Sequence, residues 1–251
     1  MIRRNWIHTA LAVALALVAV PAVAQPAAPA PAVDAASIAA LTSMSAYLRT
    51  LKTFQVEAET ATDEVLDDGQ LVKYSGTTNV VAQFPNKLLA EVSSDRNERQ
   101  YLFDGKNFTL LARRVGYYAT VPAPATVREL ADVLSAKYDI EVPLSDLFLW
   151  GAPGWNSAAI TSALDLGPGV VAGTTCEHYA FRQEGVDWQI WIQKGDFPLP
   201  RKLVITTTTD PARPQHTAVY TWNLAPSVND AAFTFTPPKG ANKIALAEAG
   251  K

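Results

Sequence analysis

Residues 71–84 read LVKYSGTTNVVAQF, and their alternation decides the fold. Val72, Tyr74, Thr78, Val80, Ala82 and Phe84 share one side of an extended chain, while Lys73, Ser75, Thr77, Asn79 and Gln83 share the other. Successive strand side chains point to opposite faces, so a stretch of this kind buries one face and leaves the other in water. Upstream the same period sets Phe54, Val56 and Ala58 against Gln55, Glu57 and Glu59, and Asp67-Asp68-Gly69 supplies residues that tolerate a hairpin turn. Downstream, Pro85-Asn86 turns the chain, and short strands follow at 87–93, 99–103, 107–112 and 117–121, punctuated by Asp104-Gly105 and Gly116. Evenly spaced strands with turns between them make an antiparallel meander.

The period then changes. Thr126-Val127-Arg128-Glu129 is a capping box, in which hydroxyl and carboxylate satisfy the free amides of a helix start, and Val127, Leu130, Ala131, Leu134 and Tyr138 form the stripe behind it. A second short helix opens at Pro143, carries Leu144, Leu147 and Phe148, and ends at Trp150-Gly151. A third is expected over 156–164. Strands resume after Gly167-Pro168-Gly169, at 175–182, 187–193, 202–209 and 215–224. Before the meander, Asp34 caps a helix whose apolar positions Ile38, Leu41, Met44, Leu48 and Leu51 recur at steps of three or four. The whole reads as α+β, mainly β: an incomplete antiparallel β-barrel of about ten or eleven strands with an N-terminal helix and a helical lid or plug.

Ahead of that domain, Arg3 and Arg4 precede an apolar run from Trp6 to Val20, followed by Pro21 and Ala22-Val23-Ala24. A basic start, a short greasy centre and small residues before a cut are the parts of a secretory signal, with cleavage expected after Ala24. The run is broken by His8 and falls short of the roughly 20 residues that span a bilayer. Gln25, where a lipoprotein would carry Cys, leaves no site for a lipid anchor, so the exported chain is expected free in the periplasm. The expected organisation is signal peptide 1–24, a Pro/Ala-rich linker 25–33 and a single folded domain 34–251.

Cleavage removes two of the 21 basic residues and no acid, leaving 19 against 24 and a net charge of −5. Nucleic acid is excluded as a partner, because phosphate binding draws on concentrated Lys and Arg. Cys176 is the only cysteine, so no internal disulfide forms and the fold rests on its apolar core.

Alternation groups Trp188, Ile190 and Ile192 on one face, and His216, Ala218, Tyr220 and Trp222 on another. Two readings are open: an ordinary core packed on the helices, or the wall of a ligand site. The helical insertion favours the second, since Leu144, Leu147, Phe148, Trp150 and Trp155 set large apolar groups on short elements beside the turns at Pro143 and Pro153-Gly154. The candidate ligand-contacting residues are Phe84, Tyr101, Phe103, Leu130, Leu134, Leu147, Phe148, Trp150, Trp188, Ile190, Tyr220 and Trp222. At about 0.8 kcal/mol per methylene, an acyl chain of some fifteen methylenes supplies roughly 12 kcal/mol before ordering costs.

Several ordered segments carry a resemblance: MSAYLRTLKTFQVEAE at 44–59, FPNKLLAEV at 84–92, YLFDGKNFTLL at 101–111, the helical interruption, and the closing FTFTPPKGANKI at 233–244. Together, over about residues 36–246, they resemble the LolA/LolB-like superfamily of periplasmic lipoprotein carriers, and more closely a family of predicted periplasmic proteins of unknown function within it. The most specific marker is the ending, with Phe233, Phe235, Pro237, Pro238 and Gly240, which resembles the superfamily's closing strand and turn. The resemblance implies an incomplete barrel with a helical lid whose interior binds acyl chains or other hydrophobic ligands. It carries no functional role onto Lys73 or Lys87, the basic residues of the early strands. The same fold serves an envelope sensor, so architecture alone does not decide activity.

Catalytic signals are weak. His178 and His216 sit in no metal-ligand spacing, no GxSxG elbow occurs, and no Gly-rich phosphate cradle is present. In the pair Glu177/His178 strand neighbours point to opposite faces, and Asp210/His216 is split by a loop from Pro211 to Pro214. The sequence thus leads to a non-catalytic periplasmic carrier or binding protein for a lipid or acylated protein, with no cofactor or metal. The alternative is an envelope-stress sensor or regulatory module that binds an envelope protein.

Overall fold

The computed structural model describes residues 33–150 and 157–249, apart from the side chains at 148 and 149. The expected signal peptide and nearly all of the linker lie outside them, as do Pro153, Gly154 and Trp155. Helix α1 spans Ala35–Thr50 and starts as expected: the Asp34 carboxylate accepts hydrogen bonds from the Ser37 N–H at 2.8 Å and the Ser37 hydroxyl at 2.6 Å. Six strands follow, β1 Thr53–Val65, β2 Leu71–Gln83, β3 Lys87–Ser94, β4 Glu98–Phe103, β5 Asn107–Ala112 and β6 Tyr117–Pro122. Helix α2, Val127–Tyr138, opens on the capping box, with the Glu129 N–H donating to the Thr126 hydroxyl at 3.2 Å and the Thr126 N–H to the Glu129 carboxylate at 3.1 Å. After the short helix α3, Asp146–Leu149, come β7 Ser162–Val171, β8 Thr174–Gln183, β9 Val186–Gln193, β10 Pro200–Thr207, β11 Gln215–Asn223 and a two-residue β12, Asn242–Lys243.

All twelve strands join one open sheet in the order β12-β6-β5-β4-β3-β2-β1-β11-β10-β9-β8-β7. The sheet does not close into a barrel. Two meanders meet where β1 pairs with β11, placing Val56 opposite Trp222 and Ala58 opposite Tyr220. Every pairing is antiparallel except that of β12 with β6.

The inner face carries the helices. Phe54, Val56 and Ala58 of β1, Val80 and Ala82 of β2, Tyr101 and Phe103 of β4, and Trp188, Ile190 and Ile192 of β9 form one cluster with Leu41, Met44 and Leu48 of α1 and with Val127, Leu130 and Leu134 of α2. The helices lay their apolar stripes on the sheet, and burial of those stripes rather than helix propensity fixes their position. Part of the outer face is also covered. The segment after β11 crosses β3–β6, burying Phe233 to 1% exposure and setting Phe235 against Tyr118 with ring centroids 5.1 Å apart. Lys87 ties that segment down through Asp230 at 2.5 Å.

Three expectations fail. The helix expected over 156–164 is instead a short 3-10 turn at Ser157–Ala159 leading into β7. Pairing of Ser162 with Arg182 and complete burial of Ala163 outweigh the helix preference of alanine. Gly167-Pro168-Gly169 does not precede the strand but lies within it, which Pro168 tolerates because β7 is an edge and its missing N–H costs no ladder bond there. The closing strand expected around Phe233 and Phe235 is a 3-10 turn, Asp230–Phe233, followed by irregular chain until β12.

Candidate functional site

Between α2 and α3 the chain crosses the inner face without regular structure. Asp139 ends α2 in the left-handed region, φ 54°, and Leu144 repeats that conformation at φ 57°; Ile140, Glu141, Val142 and Pro143 lie between them. Val142 is buried at 3% exposure and pins the crossing to the core. The Ser145 N–H donates to the Val142 carbonyl at 3.1 Å, which turns the chain into α3.

Under this roof lies a cleft of about 550 Å³. Its sheet wall comes from Thr60 and Thr62 of β1, Tyr74 and Thr78 of β2, Val92 of β3, Arg99 and Tyr101 of β4, Leu203 and Ile205 of β10, and His216 and Tyr220 of β11; its roof is residues 141–146. Asp146, Leu203 and Ile205 also border a smaller recess of about 130 Å³, closed by Trp150, Gln183, Val186 and Trp188. The Trp150 and Trp188 rings stack there, centroids 6.5 Å and planes 17° apart, and the Trp188 indole N–H donates to Gln183 at 2.9 Å. The cleft is thus polar along its rim and apolar along its floor, and the aromatic recess lies beside it, sharing Asp146, Leu203 and Ile205.

The charges of the cleft divide by position. Arg96 is paired with Glu64 and lies over the Tyr74 ring, 4.9 Å from its centroid. Arg99 is exposed and has no ion-pair partner among the described residues. Burial holds the Asp146 carboxyl above the usual carboxylate range, and the neighbouring charge of Glu141 adds to the effect. Asp146 reaches solvent through the cleft while protein surrounds it on its other sides, so it is accessible and poorly hydrated together. Tyr220 is pushed up by burial and by Asp146. His216 is pushed down by burial and lies 2.8 Å from the Thr62 hydroxyl, so the neutral imidazole is its ordinary form.

The residues singled out from sequence fall into four groups. Tyr101 and Tyr220 line the cleft, and Trp150 and Trp188 line its recess. Phe84 and Leu147 border a separate hollow of about 380 Å³ between α1 and the start of α2. Phe103, Leu130, Leu134 and Ile190 lie in the packed layer between helices and sheet, all at or below 1% exposure. Trp222 packs on Phe54 at 5.6 Å and donates its indole N–H to the Pro200 carbonyl at 2.9 Å. The Phe148 side chain lies outside the described residues. Sequence reasoning missed Thr62, Arg99, Glu141 and Asp146. For Thr62 and Arg99 the signal was present, since they share strand parity with Ala58 and Tyr101; His216 was placed on the inward face but given no role.

The pairs weighed for catalysis do not converge. Glu177 is held by Lys194, and His178 lies on the outer face, flat against Trp191 at 3.8 Å and 3.0 Å from Gln189. Asp210 shapes its own turn by accepting from the Ala212 N–H at 2.8 Å. Cys176 is fully buried, which raises its thiol and makes it unreactive. Among the described residues no three His, Cys, Asp or Glu side chains gather as metal ligands, and no helix is long and apolar enough to cross a membrane. A larger hollow of about 840 Å³ lies on the outer face, but it is wide open to solvent and lined chiefly by Ser, Thr and Gly, such as Ser75, Gly76, Thr77 and Ser93, with few large side chains to enclose a ligand.

The profile of a protein family described as "Predicted periplasmic protein (DUF2092)" matches residues 37–247, the kind of family to which the closing FTFTPPKGANKI pointed. No curated protein matches the chain significantly. Among solved structures it is similar to LprF from Mycobacterium bovis, at 12% identity and a TM-score of 0.44, over 85% of this chain and 100% of that one. It is similar also to the Mycobacterium tuberculosis lipoprotein LppX, at 10% identity and a TM-score of 0.41, over 78% and 100%. A LolA superfamily protein from Nitrosomonas europaea matches at 10% identity and a TM-score of 0.37, over 79% and 97%.

Proposed function

The chain belongs to the DUF2092 family of predicted periplasmic proteins, and from that premise we propose that it is a non-catalytic periplasmic binding protein or carrier for a hydrophobic ligand, a lipid or the acyl chain of a lipoprotein. The observation that carries this reading is the cleft beneath residues 141–146, whose floor of Tyr101, Leu203, Ile205 and Tyr220 adjoins the Trp150/Trp188 recess through Leu203 and Ile205. Its volume lies within the roughly 300–1,000 Å³ of small-molecule sites, and its polar rim matches a ligand with one wet end. Export follows by cleavage after Ala24, which N-terminal sequencing of the periplasmic protein checks.

Lipid extraction and mass spectrometry of protein purified from the periplasm of its host test the reading, together with titration of a fluorescent acyl probe. Co-purifying lipid and saturable probe uptake, weakened by Trp150→Ala, are expected. Protein free of lipid that also takes up no probe would overturn it. A second reading, an envelope-stress sensor or regulatory module, draws support from Leu164, Leu166 and Val170, which stand 47–70% exposed on the edge strand β7. Recovery of one stoichiometric envelope protein in a pull-down, with no lipid, would favour it over the carrier.

A further inference from the structure

We infer that the ligand of the cleft is a single-chain amphiphile with a zwitterionic head, an anionic and a cationic group on one molecule, and that Arg99 and Glu141 bind the two charges. This rests on the reading of the cleft as a ligand site. Arg99 projects from β4 on the sheet wall and Glu141 belongs to the roof; both line the same cleft, both are exposed, and no ion pair joins them. The other strong cation of the rim, Arg96, is already neutralised by Glu64. A purely anionic head would meet Glu141 as well as Arg99, and a purely cationic head would meet Arg99 as well as Glu141. A head carrying both charges satisfies each wall at the mouth; Asp146, the other acid of the roof, also borders the recess, which Arg99 and Glu141 do not.

The volumes set the tail. Neither Arg99 nor Glu141 borders the recess, so the head sits at the mouth and the tail runs past Tyr220, Leu203 and Ile205 towards Trp150 and Trp188. The recess, at about 130 Å³, is small beside the cleft of about 550 Å³ and suits the end of a single chain.

Four probes of equal chain length test the inference on the exported protein: a lysophosphatidylethanolamine, the fatty acid, the alkylammonium and the monoacylglycerol, each below its micellar concentration and read by displacement of the fluorescent acyl probe. The zwitterion is expected to bind tightest. Arg99→Gln is expected to weaken the zwitterion and the fatty acid about tenfold, the scale of one charge-assisted hydrogen bond, and to leave the monoacylglycerol unchanged, with Arg99→Lys restoring most of the loss. Glu141→Gln is expected to weaken the zwitterion and the alkylammonium and to spare the fatty acid. The inference is overturned if the four probes bind alike, if a singly charged or neutral probe binds tightest, or if neither variant changes the order. Failure of all four to bind rejects the ligand site itself, a different result from binding without head selection.

Discussion

Asp139 and Leu144 share a left-handed backbone, φ 54° and 57°, the first just before the roof of the cleft at residues 141–146 and the second within it. For an L-residue this conformation costs about 1–2 kcal/mol, least for Asp and Asn, whose short polar side chains bond locally. Two such residues set the height of the roof above the sheet, and the burial of Val142 between them offsets the strain. The cleft therefore exists because the chain is bent at two defined points.

Asp139 is exposed, so its substitution isolates the backbone effect from packing. Asp139→Val is expected to destabilise the protein by about 1–2 kcal/mol, because a β-branched residue tolerates the left-handed region least. Asp139→Gly is expected to stay within about 0.5 kcal/mol of the parent, since glycine enters that region freely. Urea midpoints at unchanged m-value separate the two.

The start of α2 has a similarly local determinant. Thr126→Ala removes the hydroxyl half of the capping box, leaving the Glu129 N–H without its acceptor at the helix start, while the backbone N–H of residue 126 can still donate to the Glu129 carboxylate. A loss of about 1 kcal/mol in unfolding free energy is expected, and Thr126→Ser is expected to keep most of the stability.

The ladder is legible in the sequence because period two is a direct image of one buried and one wet face; Val80 and Ala82 sit on the inner face where alternation put them. The capping box at Thr126 is legible because it is a local hydrogen-bond pattern. The cleft is much less so. Its charged residues, Glu64, Arg96, Arg99, Glu141 and Asp146, and the neutral His216 come from separate parts of the chain, and Leu144, in a conformation that leucine does not advertise, helps set the path of the roof that faces them. Aromatic residues drew attention as a ligand wall, yet large apolar side chains are also what fills a core, and Phe103 and Ile190 illustrate that ambiguity. Alanine near 157–163 suggests helix because propensity is local, whereas the pairing that makes β7 a strand is made with residues some twenty positions later.

The outer face supplies a third test. Phe233 is almost completely buried against strands β3–β6 from outside, with Lys87 over its ring at 5.8 Å. Phe233→Ala is expected to cost about 3–5 kcal/mol, as for other large-to-small changes at fully buried sites. Asp230→Asn breaks an ion pair whose carboxylate is largely exposed, and is expected to cost less than about 1 kcal/mol. Thermal unfolding of both variants compares packing with charge in holding the C-terminal segment.

Stability should fall as the medium is acidified below about pH 6.5, the ordinary histidine value, because burial holds both His216 and His178 below it. For each, between the depressed folded pKa and about 6.5 the unfolded chain binds a proton that the native protein does not. In that window stability rises with pH, and above it the contribution is complete. Asp146 works in the opposite sense: its folded pKa is raised, so the native state takes up a proton before the unfolded chain does, and lowering the pH through that raised value favours folding. His216→Gln is therefore expected to flatten the loss of stability just below pH 6.5. Asp146→Asn is expected to be more stable than the parent at pH 7, with the advantage shrinking as the pH falls towards about 4. Urea titrations at a series of pH values decide the matter: a His216→Gln curve of unchanged slope between pH 7 and 5 would show that His216 is not held below its ordinary value, and an Asp146→Asn advantage that does not shrink towards pH 4 would show that Asp146 is not held above its own.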